Sequence, residues 1–151
     1  MAIKLKKIFL SASIPLADRH PKYFETADNT AIRDAVIALA RIVLPRGQLI
    51  WGGHPSITPL IAAVLKKLEL NVQERVILYQ SNYFKDILPP ENDHFEKVIR
   101  TDAMPDRDQS LALMRKKMID ENDFCAAIFI GGMEGVEDEY NLFKKAHPDC
   151  P

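Results

Sequence analysis

The sequence predicts an α/β domain: a doubly wound, mostly parallel sheet with helices on both faces, Rossmann-like in its winding. Two observations point there. Strand-like and helix-like stretches alternate along the whole chain. The strand-like stretches are continuous apolar runs rather than in–out alternations, the pattern of a sheet covered on both faces. Right-handed crossovers between parallel strands then fix the winding. The 151 residues suit one domain over 1–151, with no repeat, low-complexity tract or linker. Folds of this kind often add another strand beyond the last helix legible here, so this sheet is expected to lack a final strand.

Residues 7–12 ("KIFLSA") read as a short buried strand that ends in small polar residues. Residues 13–26 form a polar loop with two prolines. From 27 to 44, Ile32, Val36, Leu39, Ala40 and Val43 recur at helical spacing. Thr26 or Asp28 can cap that helix, and Pro45 with Gly47 stops it. Residues 49–51 are a second strand. The next helix carries Ile57, Leu60, Ile61, Val64, Leu65 and Leu68 on one stripe.

Residues 74–79 ("ERVILY") form a third strand. The stretch "SNYFKDILPPENDHFE" is irregular, because Pro89 and Pro90 exclude a continuous helix. Residues 97–101 make a weaker strand. Residues 108–121 form a helix with Leu111, Met114 and Met118 inward. Residues 126–130 ("AAIFI") are the most apolar strand, followed by "GGMEGVEDEYNLFKKAHP", a loop that runs into a helix.

A net charge of −1, from 20 Lys+Arg against 21 Asp+Glu, gives no electrostatic reason to expect a nucleic-acid or membrane-surface binder. Cys125 and Cys150 have no metal-ligand spacing, and Cys125 reads as a small core residue at the head of an apolar run. No stretch approaches a signal peptide core or a membrane span, so a cytoplasmic, reducing setting is expected. His20, His54, His94 and His147 share no ligand spacing either, and no metal is expected.

Ligands of open parallel sheets bind beyond the carboxyl ends of the strands. Three loops of unusual composition leave strand ends and should share that edge: "SASIPLADRHPKY", "GGHPSITP" and "GGMEGVEDE". In the second, Gly52 and Gly53 permit a tight turn and close backbone approach. Pro55 fits a first helical position, and Pro59 is tolerable nearby. Free amides near Gly53, Ser56 and Ile57 would then accept a phosphate or carboxylate, helped by the hydroxyls of Ser56 and Thr58. Equally, the glycines can serve only the turn while Ser56 caps its helix. His54 is singled out by its place in this loop.

The third loop crowds Glu134, Glu137, Asp138 and Glu139 around a helix start. They stabilise the helix dipole, and they repel phosphate. A ligand there would more naturally present ribose hydroxyls, leaving the anion to the "GGHPS" loop. Arg115 and Lys116, on the helix before the "AAIFI" strand, read by default as a solvated cationic face. Asp18, Arg19 and His20 have the same status, although a loop arginine can pair bidentately with phosphate.

The order "IFLSAS", "HPKYFE", "LIWGGHPSITPL", "LMRKKMI", "IFIGGMEGVEDE" resembles the SLOG superfamily over nearly the whole chain. That superfamily joins LOG-type nucleotide phosphoribohydrolases with DNA-processing protein A and nucleotide-sensing domains. The sensor type looks nearest, since LOG enzymes have a three-glycine loop where "GGHPSITPL" stands. By resemblance, Ser11 and Ser13 fall in a Gly-Ser-Ser turn, and Gly52 and Gly53 in the second-strand glycine turn. Arg115 and Lys116 match the Arg-Lys pair. Gly131, Gly132, Gly135 and Glu139 match the Pro-Gly-Gly-x-Gly-Thr-x-x-Glu motif. The matched Arg and Glu are those to which LOG enzymes owe N-glycosidic cleavage. Ile130 replaces that motif's proline, Glu134 is an extra residue in the turn, and Val136 replaces its threonine.

The resemblance therefore implies first a binding module for a nucleotide signal, ADP-ribose-like or cyclic, in bacterial defence or signalling. It would bind through Ser11, Ser13, Asp18, Arg19, Gly52, Gly53, His54, Ser56, Arg115, Lys116, Gly131, Gly132, Glu134 and Gly135. A homo-oligomer, or an effector domain or protein, would carry the output. No cofactor beyond that ligand is expected. The second reading is a phosphoribohydrolase or related N-glycosidase acting on nucleoside monophosphates, with Arg115 and Glu139 catalytic. DNA handling ranks below both, for want of a basic stripe.

Overall fold

Five strands lie side by side in one sheet, in the order β4-β3-β2-β1-β5, and every neighbouring pair is parallel. The structure is a computed structural model that describes residues 4–19, 21–68, 73–87, 95 and 97–151. His20, His94 and the Pro89–Pro90 pair fall outside the described residues.

The strands are β1 (Lys6–Ser13), β2 (Gly47–Gly52), β3 (Val76–Ser81), β4 (Val98–Thr101) and β5 (Phe124–Gly131). The helices are α1 (Pro21–Phe24), α2 (Asn29–Val43), α3 (Thr58–Leu68), α4 (Arg107–Asp120) and α5 (Glu134–Ala146). Short 3-10 turns at Gln73–Arg75 and Asn82–Ile87 flank β3. The loop expected over 13–26 therefore holds one extra helical turn, α1.

Alternate residues of β1, β2, β3 and β5 feed two cores. Leu10, Leu49, Trp51 and Leu78 face α2 and α3, where Val36, Ala40, Ile57 and Ile61 meet them. Phe9, Ile50, Ile77 and Tyr79 face Met114, Met118 and Phe143 of α4 and α5. The second core carries an aromatic cluster: the Phe9 and Phe143 rings stack at 5.3 Å with planes 1° apart. Burying one such ring stabilises by roughly 2–3 kcal/mol.

Helix starts follow side-chain capping. Asp28 accepts from the Ala31 amide at the head of α2, and Asp106 accepts from the Gln109 amide at the head of α4. The most apolar strand, β5, is not central but forms a sheet edge, and its residues 126–130 are only half-buried. Cys125, expected in the core, is exposed. It is the extra residue of a β-bulge, since Phe124 pairs with Lys7 while Ala126 pairs with the next residue, Ile8.

Candidate functional site

The three loops do meet at the carboxyl edge of the sheet. Two hydrogen bonds stitch them. The Ile14 amide donates to Ser56 Oγ at 3.3 Å, joining the loop after β1 to the loop after β2. Ser11 Oγ donates to Glu139 Oε2 at 2.5 Å, joining the end of β1 to α5.

The "GGHPS" loop differs from its expectation. α3 begins at Thr58, not at Pro55. The amides expected to be free are engaged: Gly53 N–H donates to Tyr79 O, Ser56 N–H to His54 Nδ1, and Ile57 and Thr58 N–H to His54 O. His54 thus builds a turn that takes up the donors an anion would need. The space beside each glycine is also filled. A Cβ on Gly52 would lie 2.9 Å from Met114 Cε, and one on Gly53 only 1.9 Å from Gln80 Oε1. Neither glycine has positive φ. Both are packing glycines, serving the fit of α4 and of buried Gln80. Burial and the nearby Arg19 charge lower the His54 pKa to about 4, so its ring is neutral at physiological pH. Asp18 and Arg19 are exposed.

The loop after β5 does require its glycines. Gly131 and Gly132 have φ of +62° and +95°. Ile32 fills the space beside Gly131, and Val136 that beside Gly132. Ser13, buried, pairs with Gly131 in the β1–β5 register.

Arg115 is not part of a solvated face. Its side chain is 15% exposed, and its Nε donates to Glu139 Oε1 at 3.3 Å, with Asp138 Oδ2 at 3.8 Å from Nη1. Gly135 leaves room for the guanidinium, since a Cβ there would sit 2.8 Å from Arg115 Nη2. Burial raises the Glu139 pKa, and Ser11 and Arg115 oppose that rise. Lys116 parts company with its neighbour: its Nζ bonds Asp120 at 2.7 Å on the exposed side of α4. Since α4 returns antiparallel to the strands, that pairing directs Lys116 away from the carboxyl edge.

A cavity of about 400 Å³ opens beside the Gly131–Gly132 turn, between α1 and the head of α2. Tyr23, Asp28, Ile32 and Ile130 are among its walls. Tyr23 bonds Glu137, and burial together with Glu137, Glu134 and Asp138 raises its pKa. The cavity lies on the α2 side of the sheet, whereas Ser11, Arg115 and Glu139 lie toward α4 and α5; the double-glycine turn stands between them. Sequence reasoning missed Tyr23, Ile32 and Gln80. Only the aromatic in "HPKYFE" signalled the first, and nothing local signals the others. Among the described residues, no His/Cys/Asp/Glu group can hold a metal ion, and no helix is long and apolar enough to cross a membrane.

Comparison with known proteins agrees with this architecture. The model of the SLOG cluster3 family matches residues 22–151. The X-ray structure of TM1055, a structural genomics target, is similar at 12% identity and a TM-score of 0.57, covering 93% of this chain and 69% of that one. At that identity the likeness establishes the fold alone. No curated protein matches the sequence.

Proposed function

The chain belongs to the SLOG cluster3 family, and on that premise we propose that it is a binding module for a nucleotide signal, ADP-ribose-like or cyclic. One observation carries the reading: a cavity of about 400 Å³, within the range of small-molecule sites, lies at the strand ends against the positive-φ Gly131–Gly132 turn. The adenine ring would pack against Tyr23 and Ile32, the aromatic and aliphatic walls. Ribose hydroxyls would donate to the carboxylates at the head of α5, Glu134 and Glu137. Binding is favoured over turnover because both Glu139 oxygens are already engaged, Oε2 by Ser11 and Oε1 by Arg115. The output, on this reading, passes through a homo-oligomer or an effector in a signalling or defence system.

Calorimetric titration with ADP-ribose, cyclic ADP-ribose and AMP tests this. Saturable heat with at least one is expected, weakened about tenfold or more by Tyr23→Ala through loss of a stacked ring. Absence of heat across the panel rejects it.

The Arg115–Glu139 contact also favours a second reading, N-glycoside hydrolysis of a nucleoside monophosphate. There Arg115 would stabilise developing charge, and Glu139, its pKa raised, would act on the ribose or a water. Release of free base, abolished by Glu139→Gln, would decide for the enzyme.

A further inference from the structure

We propose that Cys125 and Cys150 form a disulfide that clasps the segment after α5 onto the open edge of β5. These are the two cysteines of the chain, 25 positions apart in sequence, and the fold brings them to one place. Both line a cleft of about 360 Å³ with Phe124, His147, Asp149 and Pro151.

The geometry follows from two contacts. Pro151 O accepts from the Ala127 amide at 2.8 Å, and Cys150 Sγ donates to Phe124 O at 3.5 Å. The later residue of the tail meets the later residue of β5, so the two segments run the same way. Cys150 Sγ thus sits beside the carbonyl whose peptide bond leads into Cys125. A disulfide spans roughly 4.4–6.8 Å between Cα atoms, and the Cys150 thiol already reaches the residue next to Cys125. The bulge leaves Cys125 without a partner in β1 and exposed.

His147 anchors the approach. One of its ring nitrogens contacts Ile119 O at 2.7 Å, and the ring packs edge-on against Phe124. Cys125 is the exposed thiol and so the one that an oxidant in solution reaches first, with the half-buried Cys150 resolving; burial and the neighbouring Cys125 push the Cys150 thiol up.

With oxidised glutathione as oxidant the step balances. The Cys125 thiolate attacks one sulfur of the glutathione disulfide and releases one glutathione thiolate. The Cys150 thiolate then attacks the mixed disulfide at Cys125 and releases the second. Both thiol protons end on the released glutathiones, and the protein has lost two hydrogens.

Full chain treated with oxidised glutathione should lose both thiols together, stay monomeric on a non-reducing gel, and yield a linked Cys125–Cys150 peptide. Amide exchange at Ala127 should slow severalfold. Cys150→Ser should stop at a glutathione adduct on Cys125, with an unchanged circular dichroism spectrum. The proposal is overturned if wild-type protein retains both thiols, carries separate glutathione adducts or cross-links between molecules. A disulfide that leaves Ala127 exchange unchanged would overturn the clasp.

Discussion

The Ser11 hydroxyl donates to the Glu139 carboxylate across 128 positions of chain, and Arg115 holds the other oxygen of the same carboxylate. This trio is what ties β1, α4 and α5 together at the sheet edge.

Glu139 should give the stability an unusual pH slope. Its folded pKa stands above the ordinary 4.5, so between the two values the native state keeps a proton the unfolded chain has lost. The contribution is greatest below 4.5 and declines as pH rises through the raised value. Glu139→Gln keeps an acceptor for Ser11 and should remove that slope. Urea unfolding at a series of pH values checks this, and an unchanged slope would contradict it.

His54 should act in the opposite sense. Its folded pKa is about 4 against 6.5 ordinarily, so below 6.5 the unfolded chain gains a proton that the native state refuses. Stability is lost as pH falls from 6.5 to about 4, by at most about 3 kcal/mol given its partial exposure. In His54→Asn, which retains a short acceptor for the Ser56 amide, this acid limb should flatten, while the slope set by Glu139 persists.

The two neighbouring glycines should respond unequally to a methyl group. Gly53→Ala drives Cβ against buried Gln80 and should cost about 1–3 kcal/mol, as overpacking does. Gly52→Ala meets the flexible end of Met114 at 2.9 Å, with Met118 at an ordinary 3.6 Å, and should cost less. Equal unfolding midpoints for the two variants would contradict the packing account.

Gly135→Ala separates stability from the site. Alanine is the better helix former, by less than about 1 kcal/mol in this first turn of α5, yet its methyl would displace the Arg115 guanidinium. Unfolding free energy should shift by no more than about 1 kcal/mol. The Glu139 pKa, followed by NMR titration, should rise further once its cation moves away. A pKa that stays put would show that Arg115 does not depend on this glycine.

Fold class was legible because strands buried on both faces must be apolar throughout, and all five strands are recognisable in the sequence. The site was legible in part. Ser11, Arg115 and Glu139 are far apart in sequence, and the family resemblance aligned the residues that the fold brings into contact. The "GGHPS" loop misled because glycines that admit a ligand and glycines that admit a side chain have the same local sequence. The difference lies in Gln80 and Met114, which arrive from β3 and α4. Lys116 misled for a similar reason: an adjacent pair on a helix points about 100° apart, so Arg115 turning inward sends Lys116 elsewhere. Cys125 followed apolar company into an expected core, but the register shift turned it out.

Trp51 is the single tryptophan, buried on the aliphatic side of the sheet, and its indole N–H donates to Thr58 Oγ1 where α3 begins. The molecule therefore carries an intrinsic fluorophore bonded to the start of α3, just past the turn that leaves β2. Emission from it would register a change in that turn while staying largely indifferent to the phenylalanine layer across the sheet.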